Sequence, residues 1–198
     1  MNHCRCTLPH TPKRIVLTGG PGAGKTAVLE LVRKSLCEHV RVLPESAGIL
    51  FTGGFPRGTT PGLRRAAQRA IYYVQRELET IDGEAAIELC DRGTVDSLAY
   101  WPGPEDFFAG LGTSLTEQYA RYHAVIHLRT PPPGNGYNQL NPLRIETPAE
   151  ASAIDERIAR AWAEHPQLYT VPASADFMAK ATRALEIIHS ELPPCCRA

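Results

Sequence analysis

Arg14-Ile15-Val16-Leu17-Thr18 runs directly into Gly19-Gly20-Pro21-Gly22-Ala23-Gly24-Lys25-Thr26-Ala27, a short apolar strand pattern closed by the spacing G-x-x-x-x-G-K-[ST]. Apolar residues then recur at Ala27, Val28, Leu31, Val32 and Leu36, the stripe of an amphipathic helix. Strand, glycine loop and helix in this order form a phosphate-binding loop. Successive backbone N–H groups turn inward as an anion nest, and the helix adds its positive N-terminal end. Lys25 reaches the β- and γ-phosphates as a point charge, and the Thr26 hydroxyl ligates the Mg²⁺ that bridges them. The chain is therefore expected to bind ATP or GTP with Mg²⁺ through Gly19 to Ala27.

The rest of the 198 residues suits one α/β domain, with 43% apolar and 21% charged residues. Twenty-one basic residues balance 21 acidic ones, so no overall field draws the protein to nucleic acid or to a membrane surface. The first 14 residues lack a signal-peptide core of about 7–15 apolar residues, and no run approaches the roughly 18 of a membrane span. A cytoplasmic protein is expected, its oligomeric state left open. Residues 1–12 read as a disordered tail, 13–192 as the single domain and 193–198 as a second tail.

Six cysteines do not make a disulfide framework. Cys37 and Cys90 fall inside predicted elements as small hydrophobes. Cys4, Cys6, Cys195 and Cys196 lie near the two ends as reduced thiols. Together with His3 they would gather a soft metal only if the ends met, and their spacing is not that of the usual zinc sites.

Short apolar runs alternate with helical patterns, which implies a parallel sheet covered by helices. Strands are expected at 14–18, 40–43, 86–90, 124–128 and 167–171. Between the second strand and a helix over 63–81 lies a glycine-rich connection, Gly48 to Gly62, either a substrate loop or a packed surface loop. That helix carries its apolar face at Leu63, Ala67, Ala70, Ile71, Val74 and Leu78. Pro131-Pro132-Pro133-Gly134-Asn135-Gly136 admits neither helix nor central strand and reads as the base of a lid. Thr147-Pro148-Ala149-Glu150 is a capped helix start, and a closing helix is expected over 176–191.

In such a doubly wound sheet, ligands sit along the C-terminal edges of the strands. Glu45 follows the second strand, Asp91 and Arg92 the third, and Arg129 the fourth. Asp91 ends an apolar run as a Walker B carboxylate does and joins Thr26 as a candidate Mg²⁺ residue. Glu45 either accepts the proton of an attacking hydroxyl or caps the next helix. Arg92, Arg129 and Arg144 are candidates to neutralise charge on a transferred phosphoryl group. Asp91-Arg92 also reads as a structural ion pair, and Arg144 as a partner of Glu146 or solvent.

The phosphate loop, Leu43-Pro44-Glu45-Ser46, Cys90-Asp91-Arg92-Gly93-Thr94-Val95-Asp96, His127-Leu128-Arg129-Thr130-Pro131 and Asn141-Pro142-Leu143-Arg144-Ile145-Glu146 together resemble the NadR-like P-loop domain. That group is filed among AAA-type ATPase or kinase domains, with ribosylnicotinamide kinase and deoxynucleoside kinases as relatives. The resemblance covers residues 13 to 190. It implies a three-layer P-loop NTPase fold, a five-stranded parallel sheet in the order 2-3-1-4-5 and a small lid between strands four and five. It also implies Glu45 near the acceptor hydroxyl, an Asp91-Arg92 pair, and Arg144 delivered by the lid.

Two departures narrow the function. AAA motor ATPases place a Glu beside the Walker B Asp to orient water and add a helical lid domain, whereas Arg92 stands here and no length remains for that domain. Among the four lysines, Lys13, Lys25, Lys34 and Lys180, none lies in the Asn-Lys-x-Asp guanine motif of Ras-type switches. The expected activity is γ-phosphoryl transfer from ATP or GTP to a hydroxyl of a small nucleoside-like acceptor. The alternatives are a nucleotide-dependent regulatory module acting on a protein or lipid, and a slow NTPase.

Overall fold

A computed structural model of the chain describes residues 4, 6, 9–81, 83, 85–132, 147–174 and 176–196. The lid expected over 131–143, together with Arg144 and His3, therefore lies largely or wholly outside the described residues. Five strands, β1 (Lys13–Thr18), β2 (Val40–Leu43), β3 (Ile87–Asp91), β4 (Ala124–Leu128) and β5 (Leu168–Val171), form one sheet in the order β2-β3-β1-β4-β5. Every pairing is parallel. This is the α/β architecture and strand order of a P-loop NTPase.

Helices α1 (Lys25–Ser35), α2 (Ser46–Thr52), α3 (Pro61–Leu78), α4 (Leu115–Tyr119), α5 (Pro148–Trp162) and α6 (Phe177–Glu191) surround the sheet, with a 3₁₀ turn at Thr94–Ala99. The central strands bury both faces, so their sequences are continuously apolar instead of alternating. Ile15 and Leu17 of β1 point to the side covered by α1 and α6, where Val28, Leu29, Ala181, Ala184 and Ile188 complete the core. Val16 points the other way, toward Ile154, Ile158 and Trp162 of α5 and Tyr72 of α3. The period of two within β1 thus sorts neighbouring residues into two separate cores.

Two sequence expectations change. Gly48 does not open a loop, because Ser46–Thr52 is helical and the chain breaks out only at Gly53-Gly54, where Gly54 takes φ 92°. Ala67 is the one fully buried member of the expected α3 stripe, and the other buried positions are Gln68, Tyr72 and Gln75, joined by Glu79 just beyond the helix end. Gln75 donates to Glu79 Oε1 at 2.8 Å, and Tyr122 Oη donates to the same oxygen at 2.9 Å, so a satisfied polar network occupies the interior. Leu63, Ala67 and Ile71 of the expected stripe line an open cavity.

Near the opposite, N-terminal edge of the sheet, the segment before β1 and the segment after α6 meet, with Cys4 Sγ donating to the Cys195 carbonyl at 2.8 Å. No helix among the described residues is long and apolar enough to cross a membrane.

Candidate functional site

The phosphate loop leaves β1 at Gly19, whose φ of 143° is one that side-chain-bearing residues rarely adopt. A Cβ there would lie 2.2 Å from the Leu128 carbonyl oxygen, so glycine also permits the close approach of β4. Gly20 is equally confined: its Cβ would meet Thr130 Oγ1 at 2.6 Å and Asp155 Cβ at 2.8 Å.

The loop is clamped from outside by two residues that carry no local motif. Asp155, buried on α5, accepts the Gly20 N–H at 2.9 Å and lies 2.9 Å from His127 Nε2. Burial alone would raise its pKa, but these hydrogen bonds and the charge of Arg129 hold the carboxyl below the usual range. Lys180 on α6 donates to the Ala23 carbonyl at 2.8 Å and to the Arg129 carbonyl at 2.5 Å. Burial brings its ammonium down to about 8, against the pull of Asp155. Nothing in the linear sequence marks either residue, since each acts through a tertiary contact with backbone.

Lys25 opens α1 and is almost completely buried. Its ammonium donates to the Gly19 carbonyl at 2.8 Å and the Gly20 carbonyl at 3.3 Å. Burial and the neighbouring Arg92 lower its pKa to about 8, opposed by Asp91, Glu45 and Asp96. Thr26, beside it, is exposed and lines the cavity.

Across from the loop, β3 ends at Asp91. Burial, reinforced by Glu45 and Asp96 and opposed by Lys25 and Arg92, pushes its carboxyl up to about 6. Its Oδ1 is buried and finds no hydrogen-bond partner among the described residues. An acceptor left in this state, in one cavity with the Thr26 hydroxyl, offers the oxygen donors that Mg²⁺ prefers.

Arg92 follows at φ 73°, the one left-handed non-glycine residue among those described. Such a backbone costs about 1–2 kcal/mol, and it is held because the Arg92 N–H bonds the Leu17 carbonyl at 3.1 Å. The turn aims the guanidinium at Glu45, with Nε donating to Glu45 Oε1 at 2.7 Å and Nη1 lying 3.7 Å from Asp96 Oδ1. Asp96 in turn accepts the Gly93 N–H at 2.8 Å and the Thr18 hydroxyl. Glu45 is the N-cap residue of α2 but makes no side-chain cap hydrogen bond. Burial alone would raise its pKa; Arg92, Lys25 and Arg57 outweigh burial and keep it below the usual carboxylate range.

These groups line one cavity of about 780 Å³. Its lining includes Pro21, Gly22, Lys25 and Thr26 from the loop and α1, Glu45, Asp91, Arg92 and Asp96 from the strand ends, and Phe51, Arg57, Leu63, Gln68, Tyr100 and Arg157 from the elements around them. Arg57 sits over the Phe51 ring, 4.1 Å from its centroid. Arg129, expected to face the transferred phosphoryl group, is not among the lining residues. Its guanidinium pairs with Asp155 at 2.9 Å and with Glu156, because α5 presents two carboxylates at the end of β4.

A nucleotide-sized cavity on a glycine loop at the C-terminal edge of a parallel sheet defines a P-loop nucleotide-binding domain. Residues 14–180 match the model of an AAA domain, and the chain belongs to that family. A solved structure, "Crystal structure of NadR protein in complex with NAD and AMP-PNP", shares the fold at TM-score 0.59 and 14% identity. The match covers 91% of this chain and 49% of the other, so the chain spans about half the length of that protein. Among curated proteins none matches significantly in sequence.

Proposed function

We propose that the chain is a phosphotransferase that moves the γ-phosphoryl group of ATP or GTP to a hydroxyl of a small, nucleoside-like acceptor. The observation that carries this reading is the Glu45–Arg92 ion pair at 2.7 Å, in the lining of a cavity that extends from the phosphate loop to α3. A simple NTPase needs room for a triphosphate and one water. Here the space beyond Glu45 is walled by Phe51, Leu63, Gln68 and Tyr100, a mixture of apolar and hydrogen-bonding groups suited to a flat polar ring. The NadR structure, a complex with NAD and the triphosphate analogue AMP-PNP, is in keeping with a nucleotide-like second ligand.

In this reading the loop N–H groups and Lys25 hold the β- and γ-phosphates. Mg²⁺, held by Thr26 and Asp91, would neutralise the phosphate oxygens. Glu45 is fully ionised at neutral pH and a weak base, so its main duty is to orient the acceptor hydroxyl and take its proton late, as a loose phosphoryl-transfer transition state allows. Arg92 fixes Glu45 and presents positive charge to the cavity. The position beside Asp91 that would hold a water-orienting Glu in a motor ATPase is filled by this cation, which favours transfer over hydrolysis.

The test is acceptor-dependent release of ADP or GDP from purified protein, screened over nucleosides, sugars and vitamins with Mg²⁺. Stimulation by a nucleoside-like compound is expected. Turnover indifferent to every acceptor would identify a slow NTPase, and nucleotide binding with no turnover a regulatory module.

A further inference from the structure

The second cluster of chemistry-bearing side chains lies far from the phosphate loop, near the N-terminal edge of the sheet. Cys196 Sγ stands 3.6 Å from Cys195 Sγ, 3.9 Å from Cys4 Sγ and 3.3 Å from His39 Nδ1. The four donor atoms all fall within 4.8 Å of one another. A tetrahedral ion with Zn–S bonds near 2.3 Å and Zn–N bonds near 2.0–2.1 Å sets its ligand atoms about 3.5–3.8 Å apart, within a few tenths of an ångström of the 3.3, 3.6 and 3.9 Å around Cys196.

The donors come from three separate stretches of chain. Cys4 precedes β1, His39 lies in the turn before β2, and Cys195 and Cys196 sit in the 3₁₀ turn Pro194–Cys196 after α6. Such convergence of three thiols and an imidazole needs a cause, because thiols are weak hydrogen-bonding groups and gain little from one another. The backbone of His39 is fixed in place. The His39 carbonyl accepts the Ala86 and Ile87 N–H groups at 2.8 and 3.0 Å, and the ring is nearly buried. His10 packs edge-on against it at 5.0 Å.

We propose that Cys4, His39, Cys195 and Cys196 form a structural site for a Zn²⁺-class ion that ties both ends of the domain to the β2 edge. The motif is invisible as a spacing because its ligands are about 35 and 156 residues apart, unlike the closely spaced pairs of ordinary zinc modules. Four protein ligands close the coordination sphere, which is the pattern of a structural site and not of a catalytic one. Binding converts the three thiols to thiolates and releases up to three protons to solvent. Cys6 and His10 stand beside the site, with His10 Nε2 3.6 Å from Cys6 Sγ and 3.5 Å from Cys195 Sγ, and are assigned to its surroundings.

The test is the metal content of protein purified under reducing, chelator-free conditions, followed by Co²⁺ replacement. One ion per chain is expected, with the visible spectrum of tetrahedral thiolate-bound Co²⁺. Cys196→Ser and Cys4→Ser should each lose the ion and melt at lower temperature, and Cys6→Ser should keep it. Wild-type protein free of metal that refuses added Zn²⁺ would overturn the assignment. So would a Cys195–Cys196 or Cys4–Cys196 disulfide found by mass spectrometry, or metal lost from Cys6→Ser but kept in Cys196→Ser. The Co²⁺ spectrum is read on wild-type protein, so the proposal stays decidable if a variant fails to fold.

Discussion

Arg92 reaches Glu45 from a left-handed backbone, its Nε 2.7 Å from Glu45 Oε1 at φ 73°. Backbone strain at a site of this kind persists when the surroundings over-determine it. Arg92→Gly should recover about 1–2 kcal/mol of that strain as it gives up the ion pairs. Its melting temperature should stay within a few degrees of the parent, and kcat should fall about 10²-fold through loss of positioned charge. Equal losses in stability and in activity would make Arg92 a merely structural residue.

The pH dependence has a defined sign on each limb. In the proposed roles Asp91 must be ionised to ligate metal, and burial sets its pKa at about 6; Lys25 must be protonated to hold phosphate, and burial sets it at about 8. The profile of kcat/KM for MgATP, which reports the free enzyme, should rise through the first value and fall through the second. With nucleotide and metal bound, Asp91 shifts down and Lys25 up, so the kcat profile should be broader. A flat kcat/KM profile across both values would contradict these roles.

Lys25→Ala should weaken ATP and GTP binding severely, whereas Thr26→Ala should act through Mg²⁺ and lose the dependence of affinity on that ion. Calorimetric titrations with and without Mg²⁺ separate the two. Unchanged triphosphate affinity in Lys25→Ala would remove the nucleotide site from Gly19 to Ala27.

Arg129 faces α5, paired with Asp155 and Glu156. It is partly exposed, so Arg129→Ala should cost about 1 kcal/mol and leave kcat within a few-fold of the parent, read from thermal melts beside steady-state kinetics. A collapse of kcat with stability intact would return it to the phosphoryl group.

Much of the fold is legible where a residue's role is local. Gly19 to Thr26 announce strand, loop and helix together, and β2 and β4 fall at 40–43 and 124–128 as their apolar runs end at Pro44 and Arg129. The order of the strands is not a local property, since apolar periodicity says nothing about which neighbour a strand pairs with; it came with the family resemblance. Gly48 and the Gly53-Gly54 pair hid α2, because glycine lowers helix propensity without forbidding a helix that buries Ser46. Asp155 and Lys180 were unreadable for a different reason. Each is an ordinary charged residue on an amphipathic helix until the fold sets it against the backbone of Gly20 or Ala23. The convergence of Cys4, His39, Cys195 and Cys196 is long-range in the same sense.

The proposed activity is transfer to an acceptor, with Glu45 facing the hydroxyl. Its most direct test follows label from γ-³²P-ATP into a nucleoside acceptor, in wild-type protein and in Glu45→Gln protein of matched ATP affinity. Wild-type protein should label the acceptor, and Glu45→Gln should do so about 10²-fold more slowly. Label appearing only in inorganic phosphate, at the same rate in both proteins and whatever acceptor is added, would contradict it.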